Sequence, residues 1–149
     1  MTAAPVALGL DAGSVRVGLA ATDPTATIAG PVATLPRRPA AALWGRVREE
    51  ARQRGAGRVI VGLPRRLDGS EGDAAAAART LADEAARETG LPVELWDERF
   101  STVAAERALV EAGMRRHRRR STVDAVAAAI MLQGWLDSRP RRGRQGGSG

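Results

Sequence analysis

Three acidic residues fall at points where buried elements are expected to begin or end. Asp11 follows the apolar run "PVALGL", Glu98 is separated by one residue from the apolar run "LPVELW", and Asp124 lies in the first turn of the last predicted helix. A buried carboxylate is costly unless it is paired or binds a metal ion. If the strands that carry Asp11 and Glu98 lie near each other in a sheet, the two side chains emerge side by side, and a helix crossing that edge could add Asp124.

Such a cluster would have a definite chemistry. Three carboxylates at one edge repel each other unless a cation lies between them, and hard oxygen ligands of this kind suit Mg²⁺ or Mn²⁺. Hydrolysis of a phosphodiester bond by two metal ions needs such ligands, because one ion activates water and the other stabilises the leaving oxygen. The three residues therefore predict a metal-dependent hydrolase, provided that the fold brings them together.

Two of the carboxylates also have a purely structural interpretation. Asp11 could be a turn residue, exposed to water, that precedes Gly13. Glu98 could pair at the surface with Arg99 or Arg107. Taken alone, Glu98 is better explained by such an ion pair, whereas Asp11 fits either interpretation equally well.

The third carboxylate, Asp124, completes the pattern "STVD", which is a capping box on Ser121, and its charge suits a helix N-terminus. The positions that share its helical face are Ala127, Ala128, Met131 and Trp135. Asp124 therefore continues an apolar face toward the core, and the alanines allow that face to approach a sheet closely. Taken alone, Asp124 is best explained as a helix cap, but a charge on that apolar face needs a partner.

The composition excludes several other kinds of active site. The chain has 149 residues, no cysteine and a single histidine, His117. Disulfides, thiolate metal sites and a cysteine nucleophile are therefore impossible, and a zinc site or a histidine-dependent triad is not expected. No run approaches the roughly 20 apolar residues that a membrane span needs, and the N-terminus does not resemble a signal peptide.

The basic charge is concentrated near the C-terminus. The net charge is +6, and all 23 basic residues are arginine. Residues 1–113 carry 14 arginines and 15 acidic residues, whereas residues 114–149 carry 9 arginines and 2 acidic residues. A near-neutral body with a basic end, which includes the segment "MRRHRRR", indicates a polyanionic partner such as nucleic acid. The alternative is a solvated run that aids solubility.

The hydrophobic pattern predicts a meander of three strands followed by alternating helices and strands. Strands are expected at 5–10, 15–22, 30–35, 58–64 and 91–96, and helices at 41–55, 70–90, 102–113 and 121–138. This order predicts an α/β fold with a mixed five-stranded sheet flanked by helices, in which functional sites lie beyond the carboxyl ends of the parallel strands. Residues 138–149, rich in Arg and Gly, are expected to be a disordered tail on a domain that spans 1–137.

Four segments together resemble one known family. "GLDAGSVRVGLAATD", "VIVGLPRRLDGSEG", "LPVELWDERFSTVAAERAL" and "STVDAVAAAIMLQGWLD" are similar to the YqgF family. Its members are RuvC-like proteins with a ribonuclease H fold, described as Holliday junction resolvases and as pre-16S rRNA nucleases. The resemblance covers residues 5–137. Its motifs are specific in combination, because "DERFST", "GLP…DGSEG" and the helix aspartate occur in the right order and spacing.

The resemblance implies a ribonuclease H-like domain that acts in the cytoplasm on the 5′ end of the 16S rRNA precursor. The family's metal-binding carboxylates correspond by motif to Asp11, Glu98 and Asp124, which would bind Mg²⁺ or Mn²⁺. The expected partners are nucleic acid, as pre-rRNA or branched DNA, and pre-ribosomal particles; no membrane association is expected, and the assembly is a monomer or a homodimer. Candidate substrate contacts are Gly13, Gly62, Pro64, Arg99, Ser101, Arg116 and Arg119.

The sequence departs from the family pattern at several points. Ala12 replaces the bulky residue that usually follows the first aspartate, which could loosen the wall of the pocket. The connector before Asp124 contains arginine where lysine is usual, and arginine also binds phosphate. A fourth carboxylate is not obvious, and Asp97 and Glu106 are the candidates.

Two other classes of function compete with the nuclease. "DAGS" after a first strand also resembles the phosphate-binding loop of actin-like ATPases, but that fold needs two large lobes that 149 residues cannot supply. The other class is a nucleic-acid-binding protein without catalysis, in which the carboxylates are kept for structure. The presence of all three acidic residues argues against it.

Overall fold

The structure is a computed structural model that describes residues 6–13, 15–100 and 118–139, with side chains in the last helix described from residue 124 onward. Its strands are β1 (Val6–Ala12), β2 (Arg16–Thr22), β3 (Ala29–Pro36), β4 (Ala56–Leu63) and β5 (Val93–Asp97). Its helices are α1 (Ala40–Arg54), α2 (Asp73–Thr89), a 3₁₀ turn (Glu98–Phe100) and α3 (Arg118–Ser138). The predicted α/β order is therefore confirmed in the described ranges.

The five strands form one mixed sheet in the order β3-β2-β1-β4-β5. The meander β1-β2-β3 is antiparallel, whereas β4 pairs in parallel with both β1 and β5. The carboxyl ends of β1, β4 and β5 therefore meet at one edge of the sheet. Strand β4 lies between β1 and β5, so the strands that carry Asp11 and precede Glu98 are near each other but not adjacent.

Helices cover both faces of the sheet. The larger core lies under α1 and α2 and includes Leu8, Leu10 and Val61. The smaller core lies under α3 and includes Ala7 and Ile60. Because side chains alternate along a strand, odd-numbered residues of β1 face α3 and even-numbered ones face α1 and α2.

Helix α3 packs closely on the sheet because the contact positions are small. A Cβ on Gly9 of β1 would lie 3.1 Å from the Cβ of Leu132. Ala128, Met131 and Trp135 are buried on the same side of α3, which confirms that the alanine-containing face of this helix turns to the core. Within the described residues, no helix combines the length and apolar character that crossing a bilayer requires.

The start of α3 differs from the prediction. The helix begins at Arg118 rather than at residue 121, and its first turn contains no acidic residue. Asp124 therefore lies in the second turn, and the interpretation of Ser121 and Asp124 as a capping box is wrong. Arginine is a good helix former, which fits the helical conformation of residues 118–120. The helix predicted at 102–113 and the tail residues 140–149 lie outside the described residues.

Candidate active site

Asp11 lies near the end of β1, on the face that is covered by α3. Its residue is only 2% exposed, so it is not the exposed turn residue that the sequence also allowed. The antiparallel register pairs Asp11 with Gly18 of β2. The parallel register pairs Leu10 with Val61, so Gly62 of β4 follows on the other side of Asp11. The carboxylate thus has a glycine on each neighbouring strand.

The side chain of Glu98 extends over β4, the strand that lies between β5 and β1. It is the first residue of the 3₁₀ turn after β5 and is also 2% exposed. A Cβ on Gly62 would overlap Glu98 Oε2 and would lie 3.1 Å from Cγ of Met131 in α3. The Glu98 carboxylate therefore lies over Gly62, between the sheet and α3 and beside the position that Asp11 occupies. The absence of a side chain at Gly62 makes this placement possible.

Asp124 approaches the same region from α3. Its backbone carbonyl oxygen is so close to β2 that a Cβ on Gly18 would overlap it. Its Oδ2 atom lies 3.7 Å from the place of a Cβ on Gly13, in the turn after β1. Asp11 therefore lies in the middle, with Glu98 on the β4 side and Asp124 on the β2 side.

The arrangement can be compared with the needs of a metal ion. No group of three or more His, Cys, Asp or Glu side chains in the described ranges is compact enough to hold a metal as it stands. The donor chemistry nevertheless fits a hard divalent cation, because Asp11, Glu98 and Asp124 offer only carboxylate oxygens, and Gly18 and Gly62 let Asp124 and Glu98 approach the sheet closely. The three residues therefore face one region without forming a closed ligand set.

An ion-pair network lies beside this region. Asp97 Oδ2 accepts hydrogen bonds from Arg99 Nη2 at 2.8 Å and from Arg65 Nη1 at 3.4 Å. Burial alone would raise the pKa of Asp97, but hydrogen bonds from Arg99 and the charges of Arg99 and Arg65 hold it below its usual value. The network corrects one interpretation: Arg99 pairs with Asp97, while Glu98 is buried. It also makes Asp97 a poor fourth metal ligand, because its oxygens are engaged.

The predicted substrate contacts are only partly within the described residues. The Gly13 N–H donates to the carbonyl oxygen of Arg16 at 2.8 Å, which closes the turn after β1. Pro64 directly follows β4 and is half-buried. Arg99 is held by Asp97 and donates from Nη1 to the Leu67 carbonyl oxygen at 3.3 Å. Ser101, Arg116 and the acidic candidate Glu106 lie outside the described residues, as does the side chain of Arg119.

Two exposed apolar residues beside this network were missed in the sequence. Phe100 is 67% exposed and Leu67 is 91% exposed. The guanidinium of Arg99 lies 5.8 Å from the centre of the Phe100 ring, and the Trp96 ring meets that ring edge-on at 5.8 Å. The only available signal was an apolar residue inside the polar motif "DERFST", which does not by itself indicate exposure.

The sheet order, with an acidic residue at the end of its central strand, defines a RuvC-type fold of the ribonuclease H-like class. A solved structure described as "T. thermophilus RuvC in complex with Holliday junction substrate" has a TM-score of 0.53 and 20% identity, and the match covers 91% of this chain and 96% of that one. A second, "Thermus thermophilus RuvC structure", has a TM-score of 0.50 and 19% identity, covering 95% and 96%. At such identities the likeness establishes the fold alone.

The family follows from sequence similarity. The family model RuvX, described as Holliday junction resolvase, matches residues 5–138. A protein of Anaeromyxobacter sp. strain Fw109-5 is 47% identical over 132 residues, which are 89% of this chain and 96% of that protein. A protein of Kineococcus radiotolerans is 50% identical over 135 residues, which are 89% and 72%. Both are named "Putative pre-16S rRNA nuclease". The chain belongs to the RuvX family, and its resemblance to the YqgF proteins is confirmed.

Proposed function

We propose that this protein is a metal-dependent nuclease that hydrolyses phosphodiester bonds and processes the 5′ end of the 16S rRNA precursor in the cytoplasm. The observation that carries the proposal is the burial of two carboxylates, Asp11 and Glu98, on one face of the sheet around Gly62. The names of the relatives support the RNA substrate. Association with pre-ribosomal particles follows from that substrate.

In this proposal Asp11, Glu98 and Asp124 bind Mg²⁺ or Mn²⁺, which when bound supplies the activation of water and the stabilisation of the leaving oxygen. The chain's own contribution is to fix the ligands. Asp11 is held inside a central strand, Glu98 is held between β4 and α3, and Asp124 is fixed by a helix that touches the backbone of β2. Rigid elements of this kind keep a site in its productive geometry.

The non-catalytic alternative explains the burial less well. Removing a carboxylate from water carries an effective cost of several kcal/mol. A protein that needed only to fill the space between the sheet and α3 would be as stable with apolar residues at positions 11 and 98. The retention of two acidic residues there favours a function that needs their charge. The actin-like alternative is not supported, because the family match spans residues 5–138.

The experiment that tests the proposal is a cleavage assay with Mn²⁺ on an RNA that contains the 5′ leader of the 16S precursor. Asp11→Asn should lower the cleavage rate more than about 100-fold, since residues that only support a metal ligand already contribute about 10- to 100-fold. The matched control is Asp83→Asn, which makes the same change at an exposed position on α2, on the other face of the sheet. The control should cut at the wild-type rate.

A four-way DNA junction in the same assay separates the alternatives. Paired nicks in the junction, together with a dimer in sedimentation, would make the protein a resolvase instead. Binding of either substrate without cleavage would favour the non-catalytic protein. If Asp11→Asn cuts the RNA as fast as wild type while keeping its far-UV circular dichroism spectrum, the assignment of the three carboxylates is wrong.

A further inference from the structure

Asp97 and Glu98 are consecutive in the chain, but their carboxylates lie on opposite faces of the sheet. The register of β5 on β4 pairs Asp97 with Leu63, whose side chain is buried in the core under α1 and α2. Directly paired residues of neighbouring strands point to the same face, so Asp97 lies on that face. Glu98 lies over Gly62 and beside Met131 of α3. A metal ion bound by Glu98 would therefore lie on the other side of the sheet from Asp97.

The Asp97 carboxylate closes the 3₁₀ turn that carries Glu98. Its Oδ1 atom accepts a hydrogen bond at 2.9 Å from the backbone N–H of Arg99, the middle residue of the turn. A turn of three residues has few hydrogen bonds of its own, and an aspartate that accepts an N–H two residues ahead fixes the backbone between them. That backbone belongs to Glu98. The bond therefore sets the direction in which the Glu98 side chain leaves the chain.

Two guanidinium groups hold the same carboxylate in place. Arg99 Nε donates to both oxygens of Asp97, at 3.2 and 3.1 Å, and Arg99 Nη2 and Arg65 Nη1 donate to Oδ2. The Asp97 side chain is 10% exposed, so water screens these bonds less than it would at an open surface. Arg65 also pairs with Glu71 at 3.2 Å, and Glu71 pairs with Arg79 of α2 at 2.7 Å. The turn is thus attached through Asp97 to a helix of 17 residues.

We infer that Asp97 is a positioning residue, which fixes the turn from one face of the sheet so that Glu98 reaches the metal site on the other face. The inference rests on the proposed function, which supplies the metal ion. Asp97 does not touch the ion. It restricts the turn, and a ligand that is already in place loses less conformational freedom when the metal binds.

The test is Mn²⁺ binding to the full chain without RNA, measured from the electron paramagnetic resonance signal of free Mn²⁺ at a temperature below the Tm of each variant. Asp97→Ala should weaken binding by about 10- to 100-fold, the usual cost of losing a residue that orients a metal ligand. The matched control is Asp83→Ala, which makes the same truncation at an exposed position on α2. The control should bind Mn²⁺ as wild type does.

Two further variants separate positioning from direct binding of the metal. Asp97→Asn loses the charge but keeps an oxygen for the Arg99 N–H, and Asn caps a turn as well as Asp does, so it should keep most of the Mn²⁺ affinity. Asp97→Glu keeps the charge but not the short side chain that closes the turn, and it should bind as weakly as Asp97→Ala. Both keep a polar side chain at position 97, so their comparison stands if Asp97→Ala does not fold.

Several results would overturn the inference, and RNA cleavage by the same variants keeps it distinct from the nuclease proposal. Weak Mn²⁺ binding by Asp97→Asn beside near-normal binding by Asp97→Glu would show that Asp97 acts through its charge. Normal binding by Asp97→Ala would also contradict positioning, as would a wild type that binds no Mn²⁺. The expected order of Mn²⁺ affinities in a protein that cuts no RNA would support positioning and contradict only the nuclease. Normal binding and cleavage by Asp97→Ala, in a protein that Asp11→Asn inactivates, would contradict only positioning.

Discussion

Replacing Gly62 with alanine should reduce cleavage more than about 100-fold while leaving the protein folded. The new Cβ would overlap Glu98 Oε2 and would lie 3.1 Å from Cγ of Met131. Met131 is buried in the core and cannot move far. The Glu98 carboxylate is at the end of a flexible side chain, so the carboxylate is the group that is displaced. Overpacking of this kind costs about 1–3 kcal/mol of the free energy of unfolding, and the loss of a positioned metal ligand lowers the rate.

The matched control for Gly62→Ala is Gly45→Ala in α1. A Cβ on Gly45 meets no atom within 4 Å, and alanine within a helix is more favourable than glycine by about 0.5–1 kcal/mol. This variant should be slightly more stable than wild type and should cut at the same rate. Cleavage by Gly62→Ala at the wild-type rate would show that Glu98 does not need its place over β4.

Gly18→Ala should have the largest effect on stability. The added Cβ would overlap the backbone carbonyl oxygen of Asp124 and would lie 3.0 Å from the backbone nitrogen of Ala125. A helix backbone cannot give way as a side chain can, so α3 must move away from the sheet and lose packing around Met131 and Leu132. We expect the free energy of unfolding to fall by about 3 kcal/mol, which lowers the Tm by about 6–12 °C for a chain of this size.

Thermal unfolding of Gly18→Ala beside Gly30→Ala checks this expectation. Gly30 lies on β3, and a Cβ there meets no atom within 4 Å, so its substitution should stay within about 0.5 kcal/mol of wild type. Similar Tm values for the two variants would mean that α3 does not pack tightly against Gly18 of β2. Gly18→Ala should lose activity because it loses stability. Gly62→Ala should lose activity while the protein remains folded.

Much of the fold could be predicted because the local signals agree with the tertiary structure. Alternating and continuous apolar runs marked all five strands within a few residues. Gly55 and Gly90 end α1 and α2 in the left-handed conformation, with φ of 67° and 70°, as a glycine after a helical pattern predicts. The continuous apolar run of β4 is typical of a strand covered on both faces, and in the structure Val61 faces α1 and α2 while Ile60 faces α3.

The role of the glycines could not be predicted, because it depends on the order of the strands. The sequence predicted Gly62 as a substrate contact, and in the structure its missing side chain leaves the space that Glu98 occupies. Gly18 lies inside an apolar strand, where glycine often marks the close approach of another backbone. The sequence does not say that the approaching group is the backbone of Asp124. Only the structure, in which α3 packs on β2, shows this.

The predicted start of α3 was wrong because the prediction gave the positive charge of "MRRHRRR" more importance than the helix propensity of arginine. The burial of the face that contains Ala128 and Met131 was nevertheless confirmed, since its period depends on side chains and not on where the helix begins.

The docking of α3 has a consequence for synthesis of the protein. Ribosomes make chains from the N-terminus, so β1, β4 and the turn with Glu98 emerge before α3 does. A nascent chain at that stage possesses Asp11 and Glu98, but it lacks Asp124 and the helix that covers their face of the sheet. If all three carboxylates are needed, as proposed, we expect a chain in which α3 has not yet docked on the sheet to be unable to cut RNA.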